Sequence, residues 1–179
     1  MDVKNKVIIV TGASSGIGEA TARQFGREGA KLVLAARRVD KLESLAQEIL
    51  AMGSGAETFV VQADLSKLED IQSLIKQTLD KCGRIDVLVN NAGFGRLDWL
   101  ENLDPVKDIQ AQFDVNVLGV IQTTRQVLPI MIKQRSGHII NMCSMAGLVA
   151  TPTYTVYAAC KHAVHGFSEA LRREVKPWG

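Results

Sequence analysis

Lys6-Val7-Ile8-Ile9-Val10-Thr11-Gly12-Ala13-Ser14-Ser15-Gly16-Ile17-Gly18 is the stretch from which the rest of the chain can be read. A short β-branched run predicts a buried strand over Lys6–Thr11, and glycines then predict a tight turn into a helix over Gly16–Glu28. A strand before and a helix after give the glycines a physical meaning. They permit close backbone approach, and the helix amino terminus offers unpaired N–H groups to a pyrophosphate.

Outward from that turn, apolar β-branched runs alternate with longer stretches of helical period. Further strands are predicted over Lys31–Ala36, Thr58–Gln62, Asp86–Asn90 and Gly137–Cys143, and helices over Asp40–Met52, Leu68–Lys81, Asp108–Gln134 and Tyr154–Val175. Leu42, Leu45, Ala46 and Ile49 recur at three-and-four spacing, one apolar stripe to lay against a sheet. Pro129 predicts a kink in its helix, since the ring removes a donor and crowds the preceding turn. Alternating strands and helices argue for α/β architecture: a doubly wound parallel sheet in a Rossmann-like three-layer α/β/α sandwich, with right-handed crossovers. At 179 residues, one domain over 1–179 is the expectation.

Composition narrows the function. A net charge of +2, with no block of like charges, speaks against nucleic-acid or anionic-membrane partners. The apolar run near the amino terminus is shorter than the roughly 7–15 residues of a signal core. No apolar stretch approaches the ~20 residues of a membrane helix, so a soluble protein is expected. Cys82, Cys143 and Cys160 have neither CxxC spacing nor an even count, which suggests reduced thiols in a cytoplasm. His162 and His165 lack a third ligand at metal-binding spacing, and no metal is expected.

The spacing Gly12-x-x-x-Gly16-x-Gly18 differs from the GxGxxG of ordinary dinucleotide folds. Preceded by Thr11, it resembles the TGxxxGxG signature of the short-chain dehydrogenase/reductase family. Asp64-Leu65 after the third strand and Asn90-Asn91-Ala92-Gly93 after the fourth continue the likeness, the second being far more specific than the glycines. The resemblance covers essentially the whole chain and implies cofactor contacts from Gly12, Ser14, Ser15, Gly16, Ile17 and Gly18, from Asp64 and Leu65 at the adenine, and from Asn90, Ala92 and Gly93. Relatives continue beyond the last helix with two further strands, a proline-glycine loop and a mobile covering helix. The chain is therefore expected to be a C-terminally truncated member whose fifth strand is a sheet edge. Epimerases of the related extended fold carry TGxxGxxG, which the spacing here does not match.

Cofactor choice is read at the end of the second strand, where NAD enzymes of this fold place an acid on the ribose 2′-hydroxyl. This chain has Ala36-Arg37-Arg38 instead. Guanidinium forks match phosphate oxygens, so Arg37 and Arg38 select NADP(H) over NAD. Ser15 is uncharged where many NADP-using relatives carry a second base.

Tyr157 and Lys161 stand four residues apart, which puts phenol and ammonium on one face of the last helix. Ser144 lies just past the fifth strand, at the sheet rim where such folds build sites. Serine, tyrosine and lysine in this order resemble the family's catalytic triad, and Asn116 matches its fourth member, which holds a proton-relaying water. The chemistry also stands by itself. A phenol titrates near ~10 in water, so acting as a base at neutral pH costs about 4 kcal/mol. A cation ~4 Å away, at an effective dielectric of ~20, supplies a similar amount. Lys161 is thus the expected tuner of Tyr157 as general acid/base, and Ser144 the donor that orients a substrate oxygen.

The expected activity is NADP(H)-dependent interconversion of a ketone or aldehyde and an alcohol. The alternative is a truncated dinucleotide-binding core with weak or no turnover. Phe94, Met145, Leu148 and Tyr154 are expected pocket walls for a small-molecule substrate. An apolar stripe on the last helix, Cys160, Ala163, Val164, Phe167, Ala170 and Leu171, suggests a homo-oligomer.

Overall fold

The computed structural model describes residues 2–178. Five strands, β1 (Val7–Thr11), β2 (Lys31–Ala36), β3 (Glu57–Gln62), β4 (Val87–Asn90) and β5 (His138–Asn141), form one parallel sheet in the order β3-β2-β1-β4-β5. The order reverses between β1 and β4, and a crevice opens there beyond the carboxyl ends of the strands. Helices α1 (Gly16–Arg27), α2 (Val39–Ala51), α3 (Leu68–Cys82), α4 (residues 105–134) and α5 (Thr155–Glu174) complete the layers.

The period-two alternation of β1 divides the core. Ile8 and Val10 pack with Leu32, Leu34 and the predicted α2 stripe of Leu42, Leu45, Ala46 and Ile49 on one face. Val7 and Ile9 pack with Ile71, Leu74 and Ile75 of α3 and Val127 and Met131 of α4 on the other. Both faces of β1 and β4 are covered and every residue of these strands is buried, as parallel strands in a doubly wound fold require. Each buried Ile or Leu contributes about 1.5–3 kcal/mol relative to exposure.

At the sheet end opposite the crevice, buried Asp86 accepts the Val7 N–H at 2.9 Å and is gripped by Arg84 at 2.6 Å. Burial raises the Asp86 pKa, but the Arg84 contacts and the Val7 N–H outweigh it and hold the carboxyl below its usual range.

The strands match the sequence expectation to within two residues at every end. The long helix differs in kind: Pro105–Gln110 and Asp114–Gly119 are π-helical, with one α turn, Ala111–Phe113, between them, and regular α-helix follows over Val120–Gln134. Pro129 stands exposed inside that last stretch without ending it. The departures from α geometry lie upstream, next to Asn116. Among the described residues, no helix is long and apolar enough to cross a membrane.

Candidate active site

A cleft of about 620 Å³ lies over the carboxyl ends of the strands. Of the residues nominated from sequence, Gly12, Ser14, Ser15, Gly16, Ile17, Arg37, Arg38, Asp64, Leu65, Ala92, Gly93, Tyr157 and Lys161 line it. Gly18, Asn90, Asn116 and Ser144 lie outside this lining, each for a structural reason.

The glycine-rich end is built by backbone. Gly12 and Gly16 have φ of +67° and +61°, the left-handed region that glycine enters without strain. A Cβ on Gly12 would come 2.8 Å from Ala92 Cα, and one on Gly18 would come 2.4 Å from both Gly12 O and Asn91 Nδ2. Gly18 therefore acts beneath the turn, letting α1 press against it. Thr11 Oγ1 donates to Val89 O and accepts the N–H groups of Asn91 and Ala92 at 3.0 and 3.1 Å, while Asn91 Nδ2 donates to Thr11 O. The loop after β4 is thereby clamped onto the loop after β1. Ser15 precedes α1 in extended conformation with no side-chain cap. The first-turn donors of α1 thus lack that partner, and an added Cβ at Gly16 would meet open space. A pyrophosphate fits such a cradle.

Arg38 folds back across this turn, its guanidinium donating to Ser15 Oγ at 2.7 Å and Ser14 Oγ at 3.0 Å. Gln62 Nε2 donates to Arg37 O at 3.2 Å, which ties the end of β2 to the end of β3. Asp64 accepts Ser66 N–H and Oγ–H. Burial raises its pKa, but the Ser66 bonds together with the Arg37 and Lys67 charges hold it below its usual range.

The other end is built by side chains. Lys161 is 6 % exposed, and its Nζ donates to Met142 O at 2.8 Å while lying 5.6 Å from the Tyr157 ring centroid. Burial pushes the Lys161 pKa down, with Cys143 and Cys160 acting the other way. Tyr157 is half-buried, with Tyr154 edge-on at 5.5 Å. A Cβ on Gly95 would lie 3.0 Å from Tyr157 Cδ2, so the loop after β4 rests directly on the phenol ring. Ser144 opens the 3₁₀ turn Met145–Gly147, its Oγ accepting Ala146 N–H at 3.1 Å.

Asn116 is fully buried in the second π stretch. Its amide pairs with both backbone groups of one residue, accepting Phe94 N–H at 2.9 Å and donating to Phe94 O at 2.7 Å. Asn90 is also buried, donating to Thr124 Oγ1 and Asn141 Oδ1, and Asn141 in turn donates to Ser168 Oγ on α5. This chain of amides joins α4, β4, β5 and α5 one residue before the carbonyl that holds Lys161. Asn141 and Ser168 are functional neighbours that the motifs do not mark; Asn141 carries one sequence signal, a polar residue at the end of an apolar strand, and Ser168, inside a helix, carries none.

The family model for short chain dehydrogenase matches residues 6–179. The chain belongs to the short-chain dehydrogenases. It is therefore an oxidoreductase of a nucleotide-binding family. This short-chain dehydrogenase is 46 % identical over 174 residues to an uncharacterized oxidoreductase of Listeria innocua, covering 97 % of its own length and 69 % of that protein's. It is also similar to a metagenomic short-chain oxidoreductase solved with NADP, at TM-score 0.93 and 36 % identity over 99 % of this chain and 80 % of that one. A short-chain dehydrogenase from Burkholderia phymatum, solved with NAD, matches at TM-score 0.94 and 36 % identity over 100 % of this chain and 63 % of that one.

Proposed function

We propose that this short-chain dehydrogenase interconverts a ketone or aldehyde and its alcohol with NADP(H), Tyr157 serving as general acid/base tuned by Lys161. The observation that carries the reading is a buried ammonium lying 5.6 Å from the centre of a phenol ring at the wall of a dinucleotide-sized cleft.

A nicotinamide dinucleotide bound in the cleft supplies the hydride in one direction and accepts it in the other. The chain's residues manage the proton. In reduction Tyr157 gives its hydroxyl proton to the developing alkoxide, and the Lys161 cation stabilises the phenolate left behind. Met142 O accepts from Lys161 Nζ and so fixes the cation's position against the cost of burying it. The Ser144 oxygen is engaged with Ala146 N–H, which leaves its O–H proton for the substrate oxygen. Asn116 has its side chain occupied by Phe94, so what it offers a proton-relaying water is its backbone carbonyl, in a stretch whose π geometry departs from the ordinary helical ladder.

Ser14, Ser15, Gly16 and Ile17 are the pyrophosphate contacts in this reading, Asp64 and Leu65 the adenine contacts, and Ala92 and Gly93 the floor, with Gly12, Gly18 and Asn90 shaping it from below. One solved relative carries NADP and another NAD. The choice of NADP(H) rests on Arg37 and Arg38 at the end of β2, where no acid stands to repel a 2′-phosphate.

The chain acts as one domain in this reading, and as a cytoplasmic homo-oligomer. Its free cysteines suit a reducing compartment, and Ala163 and Ala170 lie exposed on α5 where a second copy could pack.

The test is Tyr157→Phe assayed with NADPH and a carbonyl panel. Turnover is expected to fall by about 10²–10⁴-fold, with NADPH affinity unchanged within about twofold. Retained turnover overturns the assignment of Tyr157. NADPH binding without reduction of any carbonyl would instead favour a dinucleotide-binding core of low turnover.

A further inference from the structure

We infer that the substrate of this site is a neutral carbonyl compound with an apolar carbon skeleton, gripped by a rim that two loops build around Tyr157. The inference deepens the oxidoreductase reading and rests on it.

The first loop follows β5. From Ser136 to Cys160 the chain contains no Asp, Glu, Lys or Arg. Met145, Leu148 and Val149, directly after Ser144, are 73, 60 and 62 % exposed. The second loop follows β4 and holds Leu97, Trp99 and Leu100 at 63, 58 and 53 % exposure. The two loops meet where Asp98 N–H donates to Thr153 O at 3.1 Å, and Gly95 carries the second loop across the Tyr157 ring. Six large apolar side chains thus stand exposed on the two loops that meet near Tyr157. Apolar surface on loops of this kind favours an apolar ligand over water.

The charges of the rim point the same way. Arg96 is the one cation in residues 94–104 and 144–153, and it is paired with Asp108 at 3.0 Å. Asp98 turns its carboxylate onto Trp99 N–H and Asn102 Nδ2 within its own loop. Glu101 stands exposed. Lys161 is buried and donates to Met142 O. A substrate carboxylate or phosphate would find no unpaired cation on these loops, whereas an alkyl or ring skeleton would find the exposed side chains of Leu148, Val149 and Trp99.

The test uses the fluorescence of Trp99, made the sole tryptophan by Trp178→Phe. Methyl alkyl ketones of rising chain length, and the α-keto acid matching the longest, are titrated at saturating NADP⁺. Turnover of each compound is followed with NADPH in parallel. The dissociation constant is expected to fall about threefold per added methylene, the keto acid to bind at least about tenfold more weakly than its ketone, and Leu148→Asn to halve the gain per methylene. Affinity indifferent to chain length, equal binding of the keto acid, a gain untouched by Leu148→Asn, or no Trp99 response at all would overturn the inference. Ketones that bind with this dependence but are never reduced would count against the oxidoreductase reading and still support the apolar-skeleton inference.

Discussion

The two ends of the cleft are held by different means. At the glycine-rich end the walls are main chain: left-handed glycines, a helix terminus and the Thr11 hydroxyl that clamps one loop to another. At the Tyr157 end they are side chains, with an ammonium on a carbonyl and, behind it, an amide paired with both backbone groups of one residue. A wall of backbone fails when atoms are added to it, whereas a wall of side chains fails when atoms are taken away.

The sharpest way to break the contrast is Gly18→Ala. The new Cβ would lie 2.4 Å from a backbone oxygen that cannot move without opening the turn. Chemical denaturation is expected to show a loss of about 1–3 kcal/mol, and NADPH titration a loss of affinity exceeding about tenfold. A variant with native stability and affinity would mean that the turn is loose. Arg38→Ala removes atoms from the same end and, on the NADP(H) proposal, is expected to act on selectivity, lowering the ratio of NADPH to NADH affinity about tenfold, or about 1.4 kcal/mol. Paired titrations with the two cofactors measure it. The smallest effect belongs to the opposite end: Ser168→Ala deletes the acceptor of Asn141 Nδ2 and is expected to cost about 1 kcal/mol in urea unfolding, with cofactor affinity untouched.

The same contrast explains what could be read in advance. Strand boundaries and the sheet were legible because β1, β2 and β4 are nearly continuous apolar runs, buried on both faces. The α2 stripe was legible because helical periodicity maps directly onto one buried face. At the glycine-rich end, residue type alone announces the backbone geometry, since left-handed φ favours glycine at Gly12 and Gly16. The Tyr157 end was legible as a set of residue types, but their partners were not. Nothing in the spacing says that Lys161 donates to Met142 O or that Asn116 embraces Phe94, because both bonds join segments far apart in the chain. The π-helical stretches were hidden for a related reason: a shift from i−4 to i−5 bonding leaves almost the same apolar pattern. Pro129 pointed to a distortion in the right helix, and the distortion lies a few turns earlier. Asn141 and Ser168 stayed invisible because their role emerges only once β5 and α5 are side by side.

Asp86 links acidity to the remote end of the same strands. Its carboxyl titrates below the usual range in the folded chain, so the unfolded chain takes up the proton first as pH falls. The stabilisation is whole at neutral pH and fades below about pH 4. The acid limb of unfolding should therefore draw on the amino-terminal edge of the sheet, a sheet's length from the cleft, and a cofactor bound to the native chain should move the onset of that limb to lower pH by mass action.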